Sequence, residues 1–360
     1  MKPGAVLTAL LLAAEGGMVM VPVAATAAGA QLPAATNCSA TLLPGIGGQG
    51  SNAVASSSNG LVVGLADTAS GGSAPVLWRD GQPTQLAIPL DAAVPTSVNK
   101  DGVVVGTGYD TANEVLVGWW WQNGVYHTLP VNPGDIALPS MVSDSGVVVG
   151  ALINDEEHSD GPGADDDERP AVWSTLTTAP RALTLPAGAQ GGHAFAIGPD
   201  GTIGGVALDS GGTPVLWSPA GTPTSLPTLS GRGGVVLAID STGQAIGQSA
   251  VNEGTHAATW DKSGSVSDAG AAAGPSSSAA SGVPGIAVGT GSSSSFRGDR
   301  PQAVMWIGKS ARILPPGSDG QFTGVSGAAT SASRQAGPTV ITGYSAAANG
   351  LRRATVWSCK

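Results

Sequence analysis

SVNKDGVVVG, residues 97–106, is a polar turn followed by three valines and a glycine. Alone it reads as the tip of a β-hairpin: Asn, Asp and Gly supply the turn, and the β-branched run supplies the strand. The chain writes it repeatedly. SSSNGLVVG ends at Gly64, VSDSGVVVG at Gly150, IGPDGTIG at Gly204, IDSTGQAIG at Gly247 and SGVPGIAVG at Gly289, and a degenerate copy, RQAGPTVITG, ends at Gly343. A recurrence on this scale sets the architecture before any single motif does.

Each glycine-ended strand is followed by a polar loop and an apolar strand ending in tryptophan. APVLW runs to Trp78, PAVW to Trp173, TPVLW to Trp217, HAATW to Trp260, QAVMW to Trp306 and RATVW to Trp357, while VGWWW overshoots to Trp121. Seven of the nine tryptophans fill this slot, so they read as packing anchors between units, not as sugar or base platforms. A further apolar element ends near Leu-Pro, as in QNGVYHTLP and GKSARILPP. A small-residue segment, such as AFAI at 194–197 or VLAI at 236–239, precedes the valines. Each unit therefore carries four short strands: a (small residues), b (valines and glycine), c (ending in tryptophan) and d (ending near Leu-Pro).

Four antiparallel strands in a unit of this length are expected of a β-propeller blade, with a β-solenoid as the competing fold. The ends decide. The seventh unit stops at TVWSCK without a strand d, and CSATLLP, 38–44, is a strand d with no a to c before it. A ring closed by the N-terminal strand resolves both. The expectation is an all-β, seven-bladed β-propeller of four-stranded antiparallel blades, one domain over 39–360 after a lead-in at 31–38. A content of 55 glycines in 360 residues argues against a helical protein.

Residues 1–30 read as a signal peptide. Lys2 gives the positive charge, Ala5 to Ala14 the apolar stretch, and AGA ending at Ala30 the small-residue site. That apolar stretch is too short to span a bilayer, and no later segment is long enough. The expected location is secreted or periplasmic, in a bacterium. Export suits the two cysteines, Cys38 and Cys359, which fall on the two halves of the split blade. A disulfide between them would staple the ring.

The net charge is −10, and eight of the 25 acids lie between Asp155 and Glu168. No basic stripe exists, which excludes nucleic acid as a partner. Clustered carboxylates can hold Ca²⁺, so Asp155, Glu156, Asp160, Asp165, Asp166, Asp167 and Glu168 are the candidate ligands. The competing reading is a solvated loop, because the spacing fits no EF-hand. No other cofactor is expected.

At this point the unit, roughly A-x-x-I-N-x-x-G-x-V-V-G … H-A-x-x-W, resembles the HAF repeats of bacterial extracellular repeat proteins. HAATW, 256–260, is the nearest copy, and the resemblance covers about 39–360. It implies an extracellular, propeller-like repeat protein and no particular activity. Ala74, Val117 and Thr213 replace the histidine of the pattern, so no shared histidine role follows.

Other motifs carry little. GIGGQG, 45–50, is a literal G-x-G-x-x-G, but no helix follows to receive a pyrophosphate. RGD, 297–299, lies in a serine-rich loop, where a chance tripeptide is the ordinary explanation. Of the four histidines, His127, His193 and His256 fall in expected strands and His158 in the acidic stretch. None has a nucleophile beside it in sequence. The expected function is a non-catalytic scaffold, monomeric, that presents loops to a protein or glycan. The alternative is an extracellular glycan hydrolase or lyase with its site at the ring axis, which requires convergent polar side chains there. Strand alternation puts the a–b and c–d turns on one face and the b–c and d–a connections on the other. The second set includes 151–170, 269–282 and 290–301, so a partner is expected on that b–c face near the third and sixth blades.

Overall fold

The computed structural model describes residues 37–154, 168–209, 211–270, 276–292, 300–334 and 338–360. The expected signal peptide, most of the acidic stretch and the RGD tripeptide lie outside these residues.

Strand β1 (Cys38–Leu42) stands first. The first blade follows as β2 (Gly47–Ser56), β3 (Val62–Thr68), β4 (Ser73–Arg79) and β5 (Gln82–Gln85). The second is β6 (Asp91–Val98), β7 (Val104–Asp110), β8 (Val115–Gln122) and β9 (Val125–Thr128). The third is β10 (Asp135–Val142), β11 (Val148–Asn154), β12 (Arg169–Trp173) and β13 (Arg181–Ala182). The fourth is β14 (Gly191–Ile197), β15 (Ile203–Leu208), β16 (Thr213–Trp217) and β17 (Pro223–Ser225). The fifth is β18 (Gly234–Ile239), β19 (Ala245–Val251), β20 (Gly254–Trp260) and β21 (Val266–Gly270). The sixth is β22 (Ser276–Val283), β23 (Ile286–Ser292), β24 (Gln302–Ile307) and β25 (Ser310–Ile313). The seventh takes β26 (Gly324–Arg334), β27 (Thr339–Ala347) and β28 (Arg352–Cys359), and β1 completes it in the order β1-β28-β27-β26.

All seven sheets are four-stranded and antiparallel within each blade, and the a strands touch in sequence around the ring, with β26 meeting β2. This is the seven-bladed propeller, closed as the split final unit required. Cys38 and Cys359 are register partners across β1 and β28 and are joined by a disulfide. A disulfide is chemistry of an oxidising compartment. Among the described residues no helix is long and apolar enough to cross a membrane.

The recurrent glycine has a physical cause that the repeat alone does not disclose. In every blade the register between strands a and b shifts by one residue opposite that glycine, which is a β-bulge in the inner strand. The bulge turns a carbonyl of strand a onto the glycine Cα. A Cβ at Gly64 would lie 1.9 Å from the Asn52 oxygen, and one at Gly343 would lie 2.0 Å from that of Ala328. Only glycine fits. The fourth blade corrects the alignment above: Gly205, not Gly204, pairs with Ala194 beside the bulge, and a Cβ there would lie 2.0 Å from the His193 oxygen.

The tryptophans are anchors, as expected. Trp78, Trp121, Trp173, Trp217, Trp260, Trp306 and Trp357 each pair with the equivalent residue of strand b. Their rings lie in hydrophobic clusters that fill the gaps between adjacent blades, including the gap between the seventh and the first. Five of the indole N–H groups donate to the carbonyl just beyond the buried leucine of the preceding blade. The acceptors are Pro44 for Trp78 (2.8 Å), Pro130 for Trp173 (2.7 Å), Thr184 for Trp217 (2.7 Å), Pro227 for Trp260 (2.7 Å) and Pro315 for Trp357 (2.6 Å). The Leu-Pro signal and the tryptophan signal are thus two ends of one interblade clamp.

The two faces differ as strand order predicts. The a–b connections are five residues in each of the first five blades (57–61, 99–103, 143–147, 198–202, 240–244). The b–c connections run from two residues (252–253) to fourteen in the third blade (155–168) and nine in the sixth (293–301). One expected loop needs correction. Of residues 269–282, those up to Gly270 belong to β21 and those from Ser276 to β22. The Ala/Ser composition there belongs in part to the inner strand β22, whose Ser277 and Ala279 are fully buried.

Candidate functional site

The inner strands bond to one another mainly through short neutral side chains. Thr96 Oγ1 donates to the Pro139 carbonyl at 2.9 Å, and Thr330 Oγ1 to that of Ala53 at 3.1 Å. Ser97, Ser281 and Ser331 each accept a backbone N–H from the next blade, those of Val142, Ala332 and Ser56. These hydroxyls satisfy backbone groups on the free edge of strand a, which no further strand covers. They join the inner strands at the second–third, sixth–seventh and seventh–first gaps.

Between the third and fourth blades the pattern changes. Ser140 is the bulged residue of β10, and the bulge directs its side chain toward β14. Its Oγ lies 2.7 Å from His193 Nε2. His193 Nδ1 lies 2.7 Å from Glu168 Oε2. The imidazole is buried and stacks on Phe195, the bulged residue of β14, with centroids 4.3 Å apart and planes 9° apart. An ionised carboxylate only accepts, so Nδ1 carries the proton in the neutral ring and Nε2 presents its lone pair to the Ser140 hydroxyl. A hydroxyl, an imidazole and a carboxylate are therefore joined in series, in the order that makes a serine nucleophilic.

The surroundings fix this arrangement. Glu168 immediately precedes β12, and its carbonyl accepts the Gly192 N–H at 2.7 Å, which ties the base of the b–c connection to the start of β14. Next to it Arg169 donates through Nη2 to Asp135 and, at 3.0 Å, to Asn154 Oδ1. Asp135 opens β10 and faces Asn154 across the register. The b–c end of the third blade thus carries a charged cluster.

The expected site residues divide accordingly. Of the seven candidate calcium ligands, Asp155, Glu156, Asp160, Asp165, Asp166 and Asp167 lie outside the described residues, and Glu168 is bonded to His193. Among the described residues no group of three or more carboxylates, histidines or cysteines converges as a metal site. GIGGQG lies across the start of β2, with no helix after it. His127 stacks on Trp120 at 3.9 Å, and His256 Nδ1 meets the Asp268 carboxylate at 3.0 Å. His193 belongs to a constellation that no sequence neighbour announced. The only hint was an imidazole in an inner-strand position that Asn52 and Leu138 occupy in other blades.

No protein-family model matches the sequence, and no curated protein matches it. Solved structures resemble the chain in fold. YCF48 bound to D1 peptide aligns with a TM-score of 0.51 at 12% identity, over 91% of this chain and 99% of that one. YCF48 from Cyanidioschyzon merolae aligns with a TM-score of 0.48 at 12% identity, over 89% and 98%. SapL1 lectin in complex with alpha methyl fucoside aligns with a TM-score of 0.41 at 15% identity, over 82% and 95%. At such identities the likeness speaks for the fold alone.

Proposed function

We propose that the chain is an exported, HAF-like extracellular repeat propeller that binds a protein or glycan on its b–c face. The observation that carries this reading is the asymmetry of the two faces. Short, uniform a–b turns lie opposite b–c connections that lengthen only in the third and sixth blades. A rigid ring with variable loops on one side is a common way to carry recognition. A cleft of about 450 Å³ lies on the same face, walled by Asp209, Thr213, Leu226, Thr228 and Arg232. The YCF48 structure with its bound peptide illustrates a similar fold in a binding role.

The test uses the mature protein on glycan and peptide arrays. Replacing 155–167 or 293–299 with a short glycine turn should abolish the signal and leave the far-UV spectrum unchanged. Loss of binding on changing the a–b turns instead would place the working face on the wrong side. A second reading, catalysis near the axis, is favoured by one observation: among the described residues the Ser140–His193–Glu168 series differs from the neutral hydroxyl bonds that join the inner strands at three other gaps.

A further inference from the structure

We propose that Ser140 is the nucleophile of a serine-hydrolase site between the third and fourth blades, acting on carboxylic esters, with His193 as general base and Glu168 as its positioning residue. The inference goes beyond ligand capture and does not depend on it.

Three observations carry it. The first is connectivity: Oγ to Nε2 and Nδ1 to carboxylate, each at 2.7 Å, on three separate segments. The second is contrast. Ser97, Ser281, Ser331, Thr96 and Thr330 spend their hydroxyls on backbone groups of the next blade, whereas Ser140 Oγ bonds only the imidazole among the described residues. At the second–third, sixth–seventh and seventh–first gaps the inner strands are joined by neutral hydroxyls alone, without an imidazole or a carboxylate. The third is pre-organisation. Phe195 flanks the imidazole in a parallel stack, and the Glu168 backbone is pinned to Gly192, so the base and its carboxylate are held before any substrate arrives.

The chemistry balances without a cofactor. His193 Nε2 takes the Ser140 proton as Oγ bonds to the ester carbonyl carbon. The tetrahedral intermediate collapses, the carbon–alkoxy bond breaks, and the alcohol departs with the proton from Nε2. Water then attacks the acyl-serine, its proton passes to Nε2 and on to the departing Ser140 Oγ, and the acid is released. An ester suits this site because its carbonyl is more electrophilic than an amide's and its leaving oxygen needs less complete protonation than an amide nitrogen.

The mature protein is treated with a biotinylated fluorophosphonate, the labelled peptide is mapped by mass spectrometry, and hydrolysis of p-nitrophenyl acetate and butyrate is followed in parallel. Labelling should fall on Ser140 with loss of fluoride, and Ser140→Ala should abolish both signals while the protein keeps its far-UV spectrum and a cooperative, if lower, melt. His193→Ala should slow labelling about a hundredfold or more. Glu168→Gln should lower kcat with KM unchanged and remove the downfield proton resonance of the His193 Nδ1–H, a signature that a purely structural latch would not link to rate. Absence of label at Ser140, or hydrolysis that survives in the folded Ser140→Ala protein, overturns the proposal and leaves the series as an interblade latch.

Discussion

Trp217 and Trp121 occupy the same slot of the repeat, opposite Ile203 and Val104. Their indole N–H groups differ. Trp217 Nε1 donates to the Thr184 carbonyl at 2.7 Å, whereas Trp121 Nε1 is buried with no acceptor among the described residues. Replacing either by phenylalanine removes similar apolar volume, so the cavity contribution is common to both and cancels in the comparison. Trp217→Phe additionally strands the Thr184 oxygen, a loss of about 1–3 kcal/mol. Trp121→Phe removes an unsatisfied donor, which on the same grounds is neutral or favourable. With an unfolding entropy of about 2.1 cal/mol/K per residue, the gap between the variants is roughly 2–4 °C in melting temperature for a propeller of this size. Differential scanning calorimetry of the two single variants reads it directly. Equal shifts, or a larger shift for Trp121→Phe, would refute the view that the indole–carbonyl bond clamps neighbouring blades.

Four further outcomes follow from the same structure. Removing the Cys38–Cys359 bridge as the double serine variant should lower stability by at most about 5–6 kcal/mol, with the far-UV spectrum unchanged. Gly64→Ala places a Cβ 1.9 Å from a backbone oxygen and should destabilise by about 1–3 kcal/mol or more, whereas Gly320→Ala, with nothing within 4 Å, should be silent in the same melt. The Asp209 carboxyl is held below its ordinary value of 3.8 chiefly by the Thr213 hydroxyl, so its contribution is complete above that value and fades as the pH falls through the lower folded one; Asp209→Asn should therefore lose less melting temperature than the parent between about pH 5 and pH 3. Calcium titrated into the mature protein should release no heat and leave the melting temperature fixed if 155–167 is a solvated loop, and a heat with a matching rise would instead assign the carboxylates to Ca²⁺.

The ring was legible because its signals are periodic. The valine–glycine runs, the tryptophans and the split final unit specify blades, anchors and closure without reference to any distance. What escaped was whatever the inner-strand bulge decides. Gly204 and Gly205 are adjacent and equally plausible in sequence, and only the bulge beside Ala194 selects the second. The 269–282 stretch read as a linker from its Ala/Ser content, but Ser276–Val283 is the inner strand β22, in which alternate small residues are buried. Ser140 and His193, 53 positions apart, have nothing in common as letters. They meet because the bulge in β10 turns one side chain across to the neighbouring inner strand.

That device also explains why one gap can hold a reactive group without disturbing the rest. Each pair of adjacent blades has its own hydrophobic cluster, and the tryptophan clamp that closes the gap between the third and fourth blades, Trp217 onto Thr184, is anchored on strands c and d. The residues at the bulges are only half-buried in every blade, from Val54 in the first to Thr330 in the seventh, so the anchored core does not dictate their identity. A hydroxyl at one such position, an imidazole one alternation earlier on the next inner strand and a carboxylate at the foot of a b–c connection can therefore be introduced together at the cost of local packing alone. A chemical site in a propeller of this kind is then expected at a single interblade gap, on the side where the connections vary, and the third and fourth blades meet both conditions.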